Sequence, residues 1–455
     1  MMSPPPTLPP DQQGRVTRVL QRIGKVFAAS CTMLVLVCLL VAGLNLALRP
    51  FAGPLMPVTK IGALPDWGKK EADRWVESYG FDTLRKVYSG KSDDEIRQLI
   101  YTKFRLGNRY STYVEFNHEP VVAYDLAVHD AGFRLIGKEQ CAWPIDNSHL
   151  NVFMFGGSTM LGAGAADDET AAAYMQEALR ARLGQDICVY NFGVGAYYSN
   201  QEVVSFWKMA SQGIRPDAVF FLDGLNDYFQ TTEDTAHSGY YREFEKVIIS
   251  LQTQLMIDRG SLWSLWQAWL QSPAVRWARN FNQRELTLAT PGREEIPTAA
   301  KRMDPNYVPE LTKVRSFNDT NDRAHIEHVT MRLLNNFRLA GAMAHAIGAE
   351  AAFIVQPTPM YEFDLSKHLF SVPEWHQYTR IGYPLLKERL AAWDGHERVA
   401  WCADVGKDAG EEKLYFDPVH YAPPMNRRIV NCVLAQLEAD GGLAKLQAKQ
   451  ASLAK

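Results

Sequence analysis

The stretch Asn151-Val152-Phe153-Met154-Phe155-Gly156-Gly157-Ser158-Thr159 ends an apolar run of strand length in two glycines and a serine. Glycines at such a place let the backbone bend sharply and bare a hydroxyl where a strand hands over to a helix. Four more short apolar runs follow, Ile187–Tyr190, Ala218–Leu222, Ala351–Val355 and Val399–Cys402, with helical stretches between them. Strands alternating with helices predict an α/β domain, a parallel sheet with helices on both faces. Asp167 and Asp168 place negative charge before a helix over Thr170–Leu183. Ser199 with Glu202 has the spacing of a capping box and opens a helix towards Gly213. Both helices follow strands directly, at the edge where open α/β sheets place their ligands.

The serine turn admits several chemistries when taken alone. A phosphate-cradling P-loop fails because Gly157 and Gly162 are followed by Ala163 instead of lysine, and the three-glycine dinucleotide pattern is absent. A lipase-type elbow wants glycine two residues after the serine, where Met160 stands. The second strand leads into Asn191-Phe192-Gly193-Val194-Gly195-Ala196-Tyr197-Tyr198-Ser199, and the third into Asp223-Gly224-Leu225-Asn226-Asp227. Parallel neighbours bring these ends to one edge, so that backbone N–H groups and the Asn226 amide can surround an oxyanion beside Ser158. Asn226 reads equally as a turn-former bonded to its own backbone. Far along the chain, Tyr415-Phe416-Asp417-Pro418-Val419-His420-Tyr421 precedes a helical run from Met425 to Leu437. An Asp and a His three residues apart meet on one turn and supply a base with the carboxylate that orients it. Of the 11 histidines, His420 is the one with this context. His325 and His328 share a helix face, which reads as solvated, since a metal would need a third ligand. Gln356-Pro357-Thr358-Pro359, after the fourth strand, either lines the site or makes an ordinary turn.

In this order the four blocks resemble the SGNH hydrolases, also called GDSL-like esterases and lipases, over about residues 149–437 less an insertion. The resemblance implies a flavodoxin-like sheet and a serine esterase that works through an acyl-enzyme without metal or organic cofactor. Ser158 matches the nucleophile, Asn226 the oxyanion donor of Gly-x-Asn-Asp, and Asp417 and His420 the Asp-x-x-His pair. Gly157 stands where the family signature has Asp, a change that removes no catalytic group. Aligning Asn191 and Ser199 with the family's Asn-x-Gly-Val-x-Gly block puts Ala196 at the oxyanion glycine. The backbone donors are then the N–H groups of Ser158 and of Gly195 or Ala196; alanine serves if its φ stays negative.

The rest of the chain places this domain. With 455 residues, 47% hydrophobic and 22% charged, it is globular, neither a disordered polymer nor a disulfide-dense miniature. Forty-eight Lys and Arg against 51 Asp and Glu leave a net charge of -3, without the electrostatic footprint of a nucleic-acid binder. Val26–Leu48 is uncharged and 23 residues long, enough for a transmembrane helix. Arg15, Arg18, Arg22 and Lys25 flank its start, against Arg49 and Lys60 beyond its end, so a cytoplasmic N-terminus and a periplasmic or extracytoplasmic catalytic part at the inner membrane are expected. The expected organisation is a proline-rich tail over 1–25, an anchor over 26–48, a stem and accessory region over 49–148, and the domain over 149–437. That domain carries an insertion at 229–320, and a C-terminal tail fills 438–455. The insertion holds Trp263, Trp266, Trp269 and Trp277, read as a packing face, with a lid or acyl-chain surface and membrane-surface contact as the alternatives. Cys31 and Cys38 fall in the anchor, while Cys141, Cys188, Cys402 and Cys432 allow three pairings. The expected substrate is an acyl ester, acetyl above all, of an envelope glycan or lipid. An acyltransferase using the same acyl-enzyme is the nearest alternative, and a non-catalytic glycan-binding or scaffold protein the more distant one.

Overall fold

A computed structural model describes residues 10–48, 65–123, 125–229, 323–372 and 378–453; the insertion and its tryptophans lie outside the described residues. Helix α1 (Pro10–Leu48) belongs to one compact unit, and a second unit spans Thr59–Lys246 and Glu294–Lys455. α1 starts inside the stretch expected as a tail, because a proline at the first helical position lacks only an N–H that would have no intrahelical acceptor. Its segment Gln21–Leu44, 24 residues at a mean hydropathy of 2.5, is long and apolar enough to cross a membrane.

The second unit opens with two helices, α2 (Pro65–Val87) and α3 (Asp93–Arg105). A capping box of Ser92 and Glu95 starts α3. Two hairpins follow, β1 (Asn108–Ser111) with β2 (Glu115–His118), and β3 (Val121–Ala123) with β4 (Leu126–Val128). Then comes the alternation read from the sequence: β5 (Leu150–Gly156), α4 (Ser158–Leu161), α5 (Ala171–Leu183), β6 (Ile187–Gly193), α6 (Ser199–Ser211), β7 (Ala218–Asp223) and α7 (Leu225–Phe229). After the insertion it resumes with α8 (Arg323–Ala346), β8 (Glu350–Val355), α9 (Thr379–Ala391), β9 (Val399–Trp401), α10 (Pro423–Ala439) and α11 (Gly442–Leu453).

The five long strands form one parallel sheet in the order β6-β5-β7-β8-β9, the flavodoxin-like arrangement with the topological switch beside the first strand. Both faces are covered, so every residue of β5, β6 and β7 is buried and alternate side chains enter different cores. Leu150, Val152 and Met154 join the core under α5, α10 and α11. Phe153 and Phe155 join the opposite core under α6, α8 and α9. On that second face the register aligns Phe192, Phe155, Phe221 and Phe353 into a ladder with ring centroids 5.4, 5.1 and 5.4 Å apart. Such stacking adds to the burial of each ring.

Three expectations need correction. Residues 438–455 are not a tail: α11 covers most of them and Leu446 is fully buried in the sheet's core. The accessory region is not a separate stem, because α2 and α3 bury Leu84, Ile96 and Leu99 in a cluster that also takes in Ala165, Phe416 and Ala422 of the α/β layer. Ser199 does not cap α6. Its hydroxyl donates to Asp227 instead, and Glu202 turns inward. The four cysteines outside α1 pair as Cys141–Cys188, which ties the accessory region to β6, and Cys402–Cys432, which ties the end of β9 to α10.

Arg134 joins these layers. It is fully buried, its backbone N–H bonds Asn191 O at the open edge of β6, and its side chain spends all five donors. Nε donates to Asp167 Oδ1 at 2.9 Å, and the two Nη groups donate to the carbonyls of Leu161, Gly162, Asp125 and Ala165. Replacing it by methionine takes the guanidinium from the half-buried Asp167 carboxylate and from four carbonyls, of which Gly162 O keeps the Ala165 N–H. Arg134→Met is therefore expected to destabilise this unit by about 3–5 kcal/mol, read by urea unfolding. A loss below about 1 kcal/mol would show that water takes over those acceptors.

Candidate active site

The carboxyl ends of β5, β6 and β7 meet where the sheet order reverses, and each delivers one block to the same edge. Gly156 ends β5, Gly157 is the N-cap of α4, and Ser158 is its first helical residue. Two glycines allow the turn to nest. A Cβ on Gly193 would lie 2.2 Å from the Leu161 backbone nitrogen, and one on Gly157 would lie 2.3 Å from Asn226 Nδ2. The residue that stands in place of the family's Asp is thus what lets the Asn226 amide close on the serine turn.

Ser158, Asp417 and His420 come together although the chain separates the first two by the whole domain. Ser158 Oγ lies 2.8 Å from His420 Nε2, and His420 Nδ1 lies 2.6 Å from Asp417 Oδ2. With Nδ1 facing a carboxylate, the ring proton sits on Nδ1 and Nε2 is free to accept from the serine. Asp417 Oδ1 accepts the backbone N–H groups of Val419 and His420, both at 2.9 Å, as a turn formed by residues three apart allows. Oδ2 also accepts from Lys103 Nζ on α3. Asp417 is nearly inaccessible, and burial alone would raise its pKa. The charges and hydrogen bonds of His420 and Lys103 outweigh burial and hold the carboxyl well below the usual carboxylate range.

Opposite the triad lie the expected oxyanion donors. Asn226 Nδ2 donates one hydrogen to Tyr197 O at 2.6 Å, which leaves the second N–H of the same amide for a ligand. Gly195 N–H is already committed, since it donates to His118 Nε2 at 2.9 Å. Of the two alternatives, the Ala196 N–H is the one that remains. Its φ is +63°, contrary to the condition of a negative φ, so the alanine sits in the left-handed conformation that glycine adopts most readily. The turn is held there by its surroundings. Tyr197 donates to Phe116 O, and Val114, Phe116, Val194 and Tyr197 form a small core between the β1–β2 hairpin and this loop.

Neither Lys103 nor His118 was legible as a site residue. Lys103 is 314 residues from Asp417 and His118 is 77 from Gly195, and both lie in a region without motif. Gln356 and Thr358 are buried behind the site: Gln356 Oε1 accepts from Thr159 Oγ1 at 2.6 Å, and Pro357 O accepts from Tyr421 at 2.7 Å. This segment braces both the serine turn and the histidine loop and does not line an opening. Behind Asn226, burial raises the pKa of Glu202, Asp223 and Asp227, so this packed trio favours shared protons over three charges.

No family model matches the chain, and no curated protein does. Solved structures resemble it more distantly. A lipase from a goat rumen metagenome is 11% identical, covers 63% of this chain and 97% of its own, and has a TM-score of 0.34. For the structure titled TesA the values are 13%, 64%, 98% and 0.31. For an acetylxylan esterase from Geobacillus stearothermophilus, a catalytic mutant, they are 10%, 63%, 93% and 0.30. Likeness at this level carries no functional argument, and the geometry of the site has to supply it.

Two measurements check the oxyanion turn. Ala196→Gly relieves about 1–2 kcal/mol of left-handed strain and adds roughly 0.4–1 kcal/mol of chain entropy to the unfolded state. A net gain between about 0 and 1.6 kcal/mol in urea unfolding is expected, and a loss would contradict the assigned conformation. His118 is buried and neutral, its pKa lowered by that burial to about 4. The unfolded chain takes up this proton near pH ~6.5, so the stability His118 lends is complete above that pH and lost as pH falls from about 6.5 to 4. Relative to His118→Gln, wild type should lose about 1.4 kcal/mol per pH unit across this window. Parallel curves would place the histidine in contact with solvent.

Proposed function

We propose that this chain is a membrane-anchored serine esterase that hydrolyses acyl esters of an envelope glycan or lipid on the extracytoplasmic side. One observation carries the chemistry: the continuous relay from Ser158 Oγ through His420 to Asp417, with 2.8 and 2.6 Å steps, beside an asparagine amide with a spare N–H. Ser158 Oγ attacks the ester carbonyl carbon while its proton passes to His420 Nε2. The carbonyl π pair moves onto oxygen, where the Asn226 amide and the N–H groups of Ser158 and Ala196 stabilise the charge. As the tetrahedral adduct collapses, the C–O bond to the alcohol breaks and His420 returns the proton to that oxygen. Water then repeats the sequence on the acyl-serine, releasing a carboxylic acid and restoring the hydroxyl.

The substrate class follows from location. An exported catalytic unit behind an anchor helix meets surface glycans and lipids, and their O-acyl groups are the esters such a site can attack. A sugar hydroxyl in place of water would turn the same acyl-enzyme into a transferase, an outcome that product analysis separates.

A fluorophosphonate probe should label Ser158 in the wild-type protein, while Ser158→Ala and His420→Ala each abolish nearly all ester turnover and their combination is little worse than either. Asn226→Ala should lower kcat by roughly 10²–10³-fold. A Ser158→Ala variant that keeps more than about a tenth of wild-type turnover would overturn the esterase reading, because triad members act as a unit. For the anchor, alkaline phosphatase fused after residue 455 should be active in a bacterial host. Silent phosphatase, with a cytoplasmic reporter active at the same place, would reverse the orientation.

A further inference from the structure

The accessory helices reach the triad through a charged residue. Lys103 in the last turn of α3 places its ammonium on Asp417 Oδ2, the same oxygen that faces His420 Nδ1. With the two backbone N–H groups on Oδ1, the carboxylate accepts four hydrogen bonds, which fills its lone-pair sites. Side-chain exposure is 16% for Lys103 and 4% for Asp417, so water screens the pair weakly. The ammonium also sits 5.1 Å from the ring centroid of Trp75, within reach of a cation–π contact.

We propose that Lys103 is a positioning residue of the catalytic centre: it locks the Asp417 carboxylate and offsets part of its charge, and so sets the pH range over which the Ser158–His420–Asp417 relay reacts. The proposal rests on the serine-esterase reading. A carboxylate shared between a lysine and a histidine offers the imidazolium less stabilisation than one facing the histidine alone, because the two cations repel across the oxygen they share. The other titratable groups that face Asp417 do not duplicate this effect. Tyr88 on α2 is buried and its phenol is pushed well above its ordinary range, so it stays neutral. His368, after β8, is buried with its pKa lowered to about 4, and it too stays neutral at working pH. Among these groups Lys103 alone forms an ion pair with the carboxylate besides His420, and it comes from outside the α/β layer.

A lysine that merely glued α3 to the histidine loop would change stability and leave the pH dependence of the chemistry alone. The decisive measurement is therefore the rate of fluorophosphonate labelling of Ser158 in the full-length protein between pH 4 and 9, which requires no knowledge of the natural substrate. Lys103→Arg keeps a cation on the carboxylate and should keep the wild-type acid limb. Lys103→Met and Lys103→Gln should each move that limb to higher pH, on the order of one pH unit. The proposal is overturned if folded Met and Gln variants share the wild-type midpoint. It is also overturned if neither neutral variant folds while Lys103→Arg does, which would make the cation purely structural. A folded wild type that never labels at any pH fails earlier, and removes the esterase reading itself along with this proposal.

Discussion

The five donors of Arg134 constrain the rest of this structure. A guanidinium cannot shed its proton, so burying it obliges the chain to surround it with acceptors. The chain does so with the carbonyls of Leu161, Gly162 and Ala165, in the stretch that follows Ser158, and with Asp167 at the entry to α5. Because its own backbone also pairs with Asn191 at the edge of β6, one residue closes the sheet edge and sets the path of the chain after Ser158. Burial lowers its pKa, but Asp167 and its carbonyl partners keep the charge satisfied.

From there the accessory region reads as part of the catalytic unit. Its hairpin supplies His118, whose neutral ring takes the Gly195 N–H and leaves the Ala196 N–H as the candidate donor. Its second helix supplies Lys103 to the triad carboxylate at the other end of the site. The two ends need opposite electrostatics. An oxyanion turn is served by a neutral buried acceptor that fixes a peptide plane without adding charge, whereas a buried aspartate needs cations to remain ionised. Burial supplies the first condition at His118 and a salt bridge supplies the second at Asp417.

The left-handed Ala196 shows how such a site stores local strain. Most residues avoid that conformation because Cβ crowds the following carbonyl. Here the flanking contacts, Tyr197 to Phe116 and Gly195 to His118, over-determine the turn and hold it against that preference. Gly157 is the complementary case. Its missing Cβ makes room for the Asn226 amide, so a departure from the family signature becomes a packing requirement of this particular turn.

What the sequence determined by itself was everything written in short-range pattern. Five apolar runs of strand length alternating with helices decide a parallel sheet, and parallel strands bring their carboxyl ends to one edge. Ser158, Asn226 and the Asp417–His420 turn were legible because each lies at a strand end or on a single tight turn. The left-handed state of Ala196 was not legible, since alanine disfavours it and only the contacts around the turn impose it. The packing of Leu446, the pairing of the four cysteines, and the roles of Arg134, Lys103 and His118 were likewise decided by tertiary structure alone. Their meaning depends on partners tens to hundreds of residues away. A lysine at the end of an amphipathic helix or a histidine in a short hairpin carries no local mark of the group it will meet. Local patterning fixes which way a strand or helix faces, but only the folded chain fixes what stands opposite.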